Sequence, residues 1–235
     1  NRYMFNRGHY KKMKETWEGP RVDAPMGKDG IPGYQVGNAD EKSYTTDFLM
    51  DRTLKFIRKN KDNPFCVMLS LPDPHGPNTV RDPYWDKYRH LKFEEPATMF
   101  KTDEQNPGWS GFVGNNFIKD RKLNPAWMAA IFGMVECIDD NMGRLANELK
   151  RLNLEENTIV IFTSDNGTTH LKLEVDYDFF ESVKPLRGLK GSLYEGGVRV
   201  PLIVRWPGKI KANSQSHFVT GFEDWLPTVL DLIGR

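Results

Sequence analysis

Two short runs of apolar residues constrain the fold of this chain more than any other feature. They span residues 65–71 and 158–163, each has the length of a strand, and each passes directly into a polar loop. A continuous apolar run of this length is typical of a strand that is covered on both faces, as in a parallel sheet. A third run of this kind follows at 198–205. The sequence therefore predicts an α/β fold with strands near these three positions.

Three amphipathic stretches indicate helices that would pack on such a sheet. Residues 43–60 place Leu49 and Ile57 on one face, and residues 125–152 carry two overlapping seven-residue repeats of apolar side chains. A coiled coil is one interpretation of these repeats, but they last fewer than four heptads and a strand follows directly. We therefore favour a long helix packed on the sheet. A last helix is predicted at 223–233.

The rest of the chain lacks a regular apolar period. Residues 1–42 are an irregular segment rich in glycine and proline, and residues 72–126 form a long loop insertion with many aromatic side chains. An irregular stretch of that length inside a domain is usually functional. We interpret 1–235 as one domain whose α/β core spans 43–235.

Charge and hydropathy exclude two classes of partner. The 33 Lys and Arg residues nearly balance the 32 Asp and Glu residues, which gives a formal net charge of +1. A broad electrostatic grip on nucleic acid needs a strongly basic face, so nucleic acid is not an expected partner. No run approaches the roughly 18 apolar residues of a membrane-spanning helix. The sequence thus predicts no membrane span.

Reactive side chains follow two of the predicted strands. His75 lies in a proline-rich loop after the run at 65–71, and Asp165, Asn166 and Gly167 follow the run at 158–163. In α/β sheets, ligands bind just beyond the carboxyl ends of the strands. Carboxylate and amide oxygens are ligands that suit Ca²⁺ or Mg²⁺. Taken singly, an ordinary loop histidine and a plain turn are the alternatives to a functional site.

A glycine-rich segment at 186–201 supplies the third candidate. Its glycines free the backbone for close approach to an anion, and Lys190 offers a compact positive charge. A solvated hairpin turn is the alternative. No helix is predicted between Asp165 and the strand at 198–205. If Lys190 and Asp165 share a site, that strand must run antiparallel to the one before it.

These residues together resemble the formylglycine-dependent sulfatases, a family of the alkaline-phosphatase-like superfamily. The resemblance covers most of residues 43–235, and its most specific part is Lys-Gly followed by Tyr-Glu-Gly-Gly after Ser-Asp-Asn-Gly. It implies an alkaline-phosphatase-like α/β/α sandwich with a mostly parallel central sheet. The matching segments are Pro-His-Gly-Pro at 74–77, Asp-Asp-Asn-Met-Gly-Arg-Leu at 139–145, Ser-Asp-Asn-Gly at 164–167, the glycine-rich block at 187–201, Ile-Val-Arg-Trp-Pro-Gly at 203–208, and 224–234.

The resemblance also implies roles for individual residues. Asp165 and Asn166 match two metal ligands, for Ca²⁺ or alternatively Mg²⁺. His75 and Lys190 match the histidine and lysine that contact the sulfate and the leaving group. His170 follows closely and could reach a substrate hydroxyl, with a solvent-facing loop histidine as the alternative. The implied substrate is a sulfated small molecule or glycan, and the implied location is secreted, periplasmic or lysosomal.

The nucleophile of that family does not occur in this chain. It is formed from the Cys or Ser of Cys/Ser-x-Pro-x-Arg, and neither Cys66 nor Cys137 has that context. Both cysteines lie in apolar patterns, so we expect their side chains to be buried. The resemblance thus implies that 1–235 is a partial sulfatase catalytic domain, a fragment truncated at both ends. It would lack the N-terminal part of the same protein, which carries the formylglycine, and a C-terminal subdomain, and it would be inactive alone.

Two other functions stay open, as does the role of two arginines. A phosphatase or phosphonate hydrolase of the same superfamily is one, although such enzymes tend to carry His in place of Asn166. A non-catalytic sulfatase homologue that binds an anion or carbohydrate is the other.

Arg187 and Arg199 flank the glycine-rich block, and we favour a structural pairing with Glu195 over substrate binding.

Overall fold

A computed structural model describes residues 44–75, 79–94, 125–168, 183 and 185–234. The irregular segment predicted at 1–42 and most of the insertion at 72–126 lie outside these ranges. The elements in chain order are α1 (Thr45–Asn60), α2 (Tyr84–Tyr88), α3 (Pro125–Arg151), β1 (Val160–Thr163), α4 (Glu195–Val198), β2 (Leu202–Arg205) and α5 (Trp225–Leu232).

Helices α1 and α3 form the main packing unit, and both confirm the predicted amphipathic stretches. In α1 the buried side chains recur at helical spacing, as at Met50, Leu54 and Ile57, and they meet Leu145 and Leu149 of α3. Burying an apolar side chain of this size contributes about 1.5–3 kcal/mol, so tertiary packing stabilises these helices. Partly buried side chains of α3 and of the segments after α1 and α3 also pack against this cluster: Phe65, Leu69, Met142, Leu152, Leu154 and Val160.

The short helix α2 was missed in the sequence and packs on the N-terminal half of α3. Gly133 permits this close approach, because a Cβ there would lie 2.8 Å from Cγ1 of Val80 and 3.2 Å from Cβ of Tyr84. The resulting second cluster explains why Cys137 is buried, as predicted. Its members are Tyr44, Val80, Tyr84, Ile131, Met134 and Cys137.

Strands β1 and β2 pair in antiparallel orientation, with Val160 opposite Arg205 and Thr163 opposite Leu202. The run at 198–205 therefore turns back along the preceding strand, as a shared site for Asp165 and Lys190 requires. Val160 packs against the α1–α3 cluster, which attaches this end of the strand pair to the helices.

In the part of the chain that is described, one prediction about the sheet is wrong and another is not confirmed. Residues 65–71 do not form a strand, and the sheet has two antiparallel strands rather than a mostly parallel arrangement. The apolar run at 65–71 finds no ladder partner among the described residues, and a strand exists only through its neighbours. Met68 is 91% exposed, and Cys66 is exposed rather than buried.

Capping residues mark the two ends of helix α5. A 3-10 turn at Phe222–Asp224 leads into α5, and the Asp224 carboxylate accepts a 2.8 Å hydrogen bond from the Gly221 amide. Gly234 has a φ of 71° just beyond the helix, a conformation that glycine adopts without strain. Across the described helices, none combines the length and the apolar character that crossing a membrane requires.

Candidate functional site

Strand β1 delivers Asp165 and Asn166 to its carboxyl end. The Asn166 amide nitrogen donates a 2.9 Å hydrogen bond to the Gly167 carbonyl, and the Ser164 hydroxyl donates a 3.1 Å bond to the Asn166 carbonyl. With its nitrogen engaged in this way, Asn166 keeps its side-chain oxygen as an acceptor. Asp165 is exposed and meets no basic side chain within ion-pair distance among the described residues.

The glycine-rich segment folds back onto this strand end through backbone hydrogen bonds. The Gly167 amide donates to the Gly197 carbonyl at 3.0 Å, and the Lys190 amide donates to the Thr168 carbonyl at 2.8 Å. The structure thus brings the loop of Asp165 and Asn166 together with the loop that carries Lys190.

Three glycines make this contact possible. A Cβ on Gly167 would lie 2.1 Å from the Gly196 carbonyl oxygen, and a Cβ on Gly196 would lie 2.1 Å from the Gly188 carbonyl oxygen. Gly188 itself has a φ of 89°, which favours glycine. Backbone therefore stacks on backbone with no room for side chains, and this explains the spacing of glycines between the two loops.

Lys190 carries a positive charge that no described carboxylate neutralises. Its side chain is partly buried, and the preceding Leu189 is 4% exposed and holds the loop in place. A partly desolvated ammonium group binds an anion more strongly than a fully hydrated one. The loop geometry therefore suits the binding of an anionic group.

His75 lies on a separate loop that is anchored to the start of α1. The buried Asp73 carboxylate accepts hydrogen bonds from the Tyr44 hydroxyl at 2.8 Å and the Thr46 hydroxyl at 2.6 Å. The His75 amide donates to the Pro72 carbonyl at 2.9 Å, and its side chain is exposed. His170 lies outside the described residues.

Asp73 anchors the loop of His75, and this role was not predicted from the sequence. Its position between two prolines was visible, but its partners at the start of α1 are almost thirty residues away in the chain. No local pattern connects these positions, so only the folded chain shows the contact.

The predicted pairing of both arginines with Glu195 is half right. Arg199 lies 3.4 Å from Glu195, four residues earlier and one helical turn away. Arg187 instead stacks on Tyr194, with its guanidinium carbon 3.9 Å from the ring centroid. The short helix α4 turns the Glu195 side chain toward Arg199, since residues four apart lie on one face.

The oxygen donors at the end of β1 suit a hard divalent cation but do not complete its shell. Asp165 and Asn166 supply a carboxylate and an amide oxygen, the ligand types that Ca²⁺ and Mg²⁺ prefer. Within the described ranges, no group of three or more His, Cys, Asp or Glu side chains is placed to hold a metal ion. The chemistry of this pair fits such an ion as part of a larger ligand set.

Cys137 is excluded as a nucleophile by its surroundings. Burial, together with the negative charges of Asp47 and Asp73, raises the pKa of its thiol to about 12. A reactive cysteine needs a lowered pKa because the thiolate is the attacking species. Cys137 is therefore a packing residue.

Comparisons with known proteins agree on one family. The family model described as Sulfatase matches residues 3–235. The N-acetylglucosamine-6-sulfatase of Capra hircus is 30% identical in an alignment over 201 residues that covers 81% of this chain and 32% of that protein. The chain thus spans about a third of that curated relative.

Solved structures give the same result for the fold. The PsFucS1 sulfatase from Pseudoalteromonas sp. aligns with 28% identity and a TM-score of 0.54, over 80% of this chain and 30% of that one. Ps i-CgsB in complex with k-i-k-neocarrahexaose aligns with 28% identity and a TM-score of 0.58, over 85% of this chain and 36% of that one. The α/β architecture described above is thus shared with solved sulfatases.

Proposed function

This chain belongs to the sulfatase family, and on that premise we propose that the full-length protein hydrolyses sulfate esters of carbohydrates. The observation that carries the proposal is the junction of the two loops. The backbone bond from Lys190 to Thr168 fixes a cationic residue beside the position that directly follows the Asn166–Gly167 turn. An anion-binding lysine and a pair of hard oxygen ligands on adjoining loops suit a sulfuryl group, whose oxygens carry negative charge.

Each candidate residue has a distinct task in this proposal. Lys190 binds a sulfuryl oxygen and opposes the negative charge that builds during transfer. His75 faces the leaving group and gives a proton to the departing alkoxide oxygen. His170 binds a substrate hydroxyl. Asp165 and Asn166 hold a divalent cation, Ca²⁺ or alternatively Mg²⁺, which supplies further positive charge when bound.

The nucleophile is expected outside this chain. The family resemblance implies a hydrated formylglycine, which supplies the oxygen that attacks sulfur. Cys137 cannot replace it, because its pKa is raised to about 12. We therefore expect residues 1–235, produced alone, to release no sulfate.

The substrate class rests on the named relatives. One is an N-acetylglucosamine-6-sulfatase, and a solved neighbour is bound to an oligosaccharide. A sulfated sugar is therefore the first substrate to test. Secretion, or a periplasmic or lysosomal location, belongs to the same proposal.

The test is sulfate release from N-acetylglucosamine 6-sulfate by the full-length protein. Lys190→Ala should lower kcat/KM by a factor of about 100 or more, since it removes charge stabilisation in the transition state. Lys209→Ala is the matched control, because Lys209 is an exposed lysine after β2, and it should change kcat/KM by less than about twofold. Equal losses in both variants would contradict the proposed role of Lys190.

Two other outcomes would favour the competing functions. Faster turnover of the corresponding phosphate monoester would identify a phosphatase. Binding of the sulfated sugar without turnover, together with no formylglycine in the peptide map, would identify a non-catalytic binding protein.

A further inference from the structure

The guanidinium group of Arg187 lies over the ring of Tyr194 on the loop that carries Lys190. The guanidinium carbon lies 3.9 Å from the ring centroid, and both side chains are exposed, Tyr194 to 46%. Stacking on an aromatic face restricts a guanidinium group and leaves its N–H edge open to solvent. The edge of this arginine is thus oriented before any ligand arrives.

No described carboxylate neutralises Arg187. The acidic side chain next to its stacking partner, Glu195, is paired with Arg199 at 3.4 Å. The structural contact of Arg187 with the loop core is made by its backbone, whose carbonyl accepts a 2.7 Å hydrogen bond from the Gly196 amide. The charge of the side chain is therefore not needed to close the loop.

The position of Arg187 places this charge close to Lys190. They are three positions apart in the chain, so their Cα atoms are at most about 11 Å apart. The left-handed Gly188 bends the chain between them. Two cationic groups on one bent loop suit a ligand that carries two negative charges on one sugar.

We propose that Arg187 is a specificity-determining residue that binds a second anionic group of the sugar whose sulfate ester is bound by Lys190. This proposal rests on the proposed sulfatase function. The planar fork of the guanidinium matches a sulfate or carboxylate with two parallel hydrogen bonds. The preferred substrates are thus sugars with two anionic substituents rather than monosulfated neutral sugars.

The experiment compares two sugars that differ in one anionic group, N-acetylglucosamine 6-sulfate and glucosamine 2-N,6-O-disulfate. The full-length wild-type protein should have a lower KM for the disulfate than for the monosulfate. Arg187→Ala should raise that KM about tenfold, as expected for loss of a charge-assisted pair, and change kcat little. For the monosulfate, KM should stay within about twofold. Arg187→Lys should recover part of the preference, because it keeps the charge and loses the fork.

Arg199→Ala is the control, since Arg199 is an exposed arginine of the same segment that already has a carboxylate partner. It should leave the ratio of the two KM values unchanged. Equal KM values of the wild-type protein for both sugars, or an equal effect of Arg187→Ala on both, would overturn the proposal. The second result would show that the stacked pair only supports the loop.

Binding measurements distinguish a failure of the proposed sulfatase function from a failure of the proposed role of Arg187. If the wild-type protein hydrolyses neither sugar, calorimetric titration with the same two sugars replaces the kinetics. Weaker binding of the disulfate alone in Arg187→Ala would then support the role of Arg187 without catalysis. Equal binding of both sugars by the variant and the wild type would overturn it.

Discussion

The Lys190 amide donates a 2.8 Å hydrogen bond to the Thr168 carbonyl, which ties the glycine-rich loop to the residues just beyond β1. This bond links two positions that are 22 residues apart in the chain. It is possible because β2 runs antiparallel to β1 and returns the loop to the same end of the strand pair. The location of the candidate lysine is thus a consequence of strand direction and backbone contact.

Close backbone packing at Gly196 leads to the first prediction. Gly196→Ala places a Cβ 2.1 Å from the Gly188 carbonyl oxygen and 2.9 Å from the Arg187 carbonyl oxygen, so the loop must move. Overpacking of this kind costs about 1–3 kcal/mol of unfolding free energy. A displacement of about 1 Å at the site can lower turnover about 100-fold. Urea unfolding and sulfate release by the full-length protein measure the two effects.

Gly143→Ala is the matched control for that substitution. Gly143 is an exposed residue within α3, and a Cβ there would meet no atom within 4 Å. Alanine in a helix interior is favoured over glycine by about 0.5–1 kcal/mol, so this variant should gain stability. A Gly196→Ala protein with unchanged stability and turnover would show that the loop accommodates the methyl group.

The helices α1, α3 and α5 and the direction of β2 could be predicted from the sequence, because local periodicity and chain order determine them, whereas the short helices α2 and α4 were not predicted. The apolar spacing at Met50, Leu54 and Ile57 is sufficient to place α1. The antiparallel direction of β2 was predicted on the condition that Lys190 and Asp165 share a site, and the strand pairing confirms it, although the short helix α4, which was not predicted, lies before β2. By contrast, the apolar run at 65–71 indicated a strand, and a strand depends on partners that the run itself does not specify.

The candidate site divides in the same way. Residue type and position after a strand identified Asp165 and Asn166 as candidates, and the glycine-rich segment identified Lys190. The stacking of Arg187 on Tyr194 was not predicted. In the structure, Glu195 of α4 pairs with Arg199, and the Arg187 guanidinium contacts the Tyr194 ring instead. Such a choice between partners depends on side-chain directions in the folded loop.

Asn141 joins α1 to α3 and leads to the second prediction. It is 1% exposed, and its amide nitrogen donates to the Asp47 carboxylate at 2.9 Å and to the Cys137 carbonyl at 2.8 Å. Asn141→Ala should lower the unfolding free energy by about 1–3 kcal/mol, because buried acceptors lose a donor. Thermal and urea unfolding measure this change.

The negative charge of Asp47 allows a second variant at Asn141 to test the same contact. Burial raises the pKa of Asp47, but hydrogen bonds from Arg81 and Asn141 outweigh it and hold the pKa below its usual range. Asn141→Asp would place a second carboxylate beside an ionised one, so it should destabilise the protein more than Asn141→Ala. Asp139→Ala is the control, because Asp139 is exposed, and it should change the unfolding free energy by less than about 0.5 kcal/mol. The opposite order of the two Asn141 variants would refute this account.

The oxygen pair at the end of β1 leads to the third prediction. If Asp165 ligates a divalent cation, Asp165→Asn should weaken Ca²⁺ binding by the full-length protein at least about tenfold, because one negative charge leaves the ligand set. Calorimetric titration of Ca²⁺ measures this change without reference to activity. Asp139→Asn removes a carboxylate of the same size from an exposed helix position and should leave the Kd unchanged. Equal affinities of the wild-type protein and Asp165→Asn would exclude this carboxylate as a ligand.

Glu148 leads to the last prediction, the dependence of stability on acidity. Its carboxylate accepts hydrogen bonds from Arg151 at 2.6 Å and from Arg58 of α1 at 2.7 Å. These bonds, first from Arg151 and then from Arg58, lower the pKa of Glu148 from 4.5 to about 2. Since the unfolded chain binds this proton more readily, the stabilisation is complete above pH 4.5 and is lost as the pH falls toward 2.

A glutamine at this position cannot take part in that titration. Glu148→Gln should therefore be less stable than the wild-type protein at about pH 5, and the difference should shrink at about pH 3. Urea unfolding at the two pH values gives the comparison. Glu156→Gln is the control, because the exposed Glu156 side chain makes no ion pair with the described residues, and its effect should be the same at both pH values. A constant difference between Glu148→Gln and the wild-type protein would show that the Arg58–Glu148–Arg151 contacts contribute nothing to the acid sensitivity of the fold.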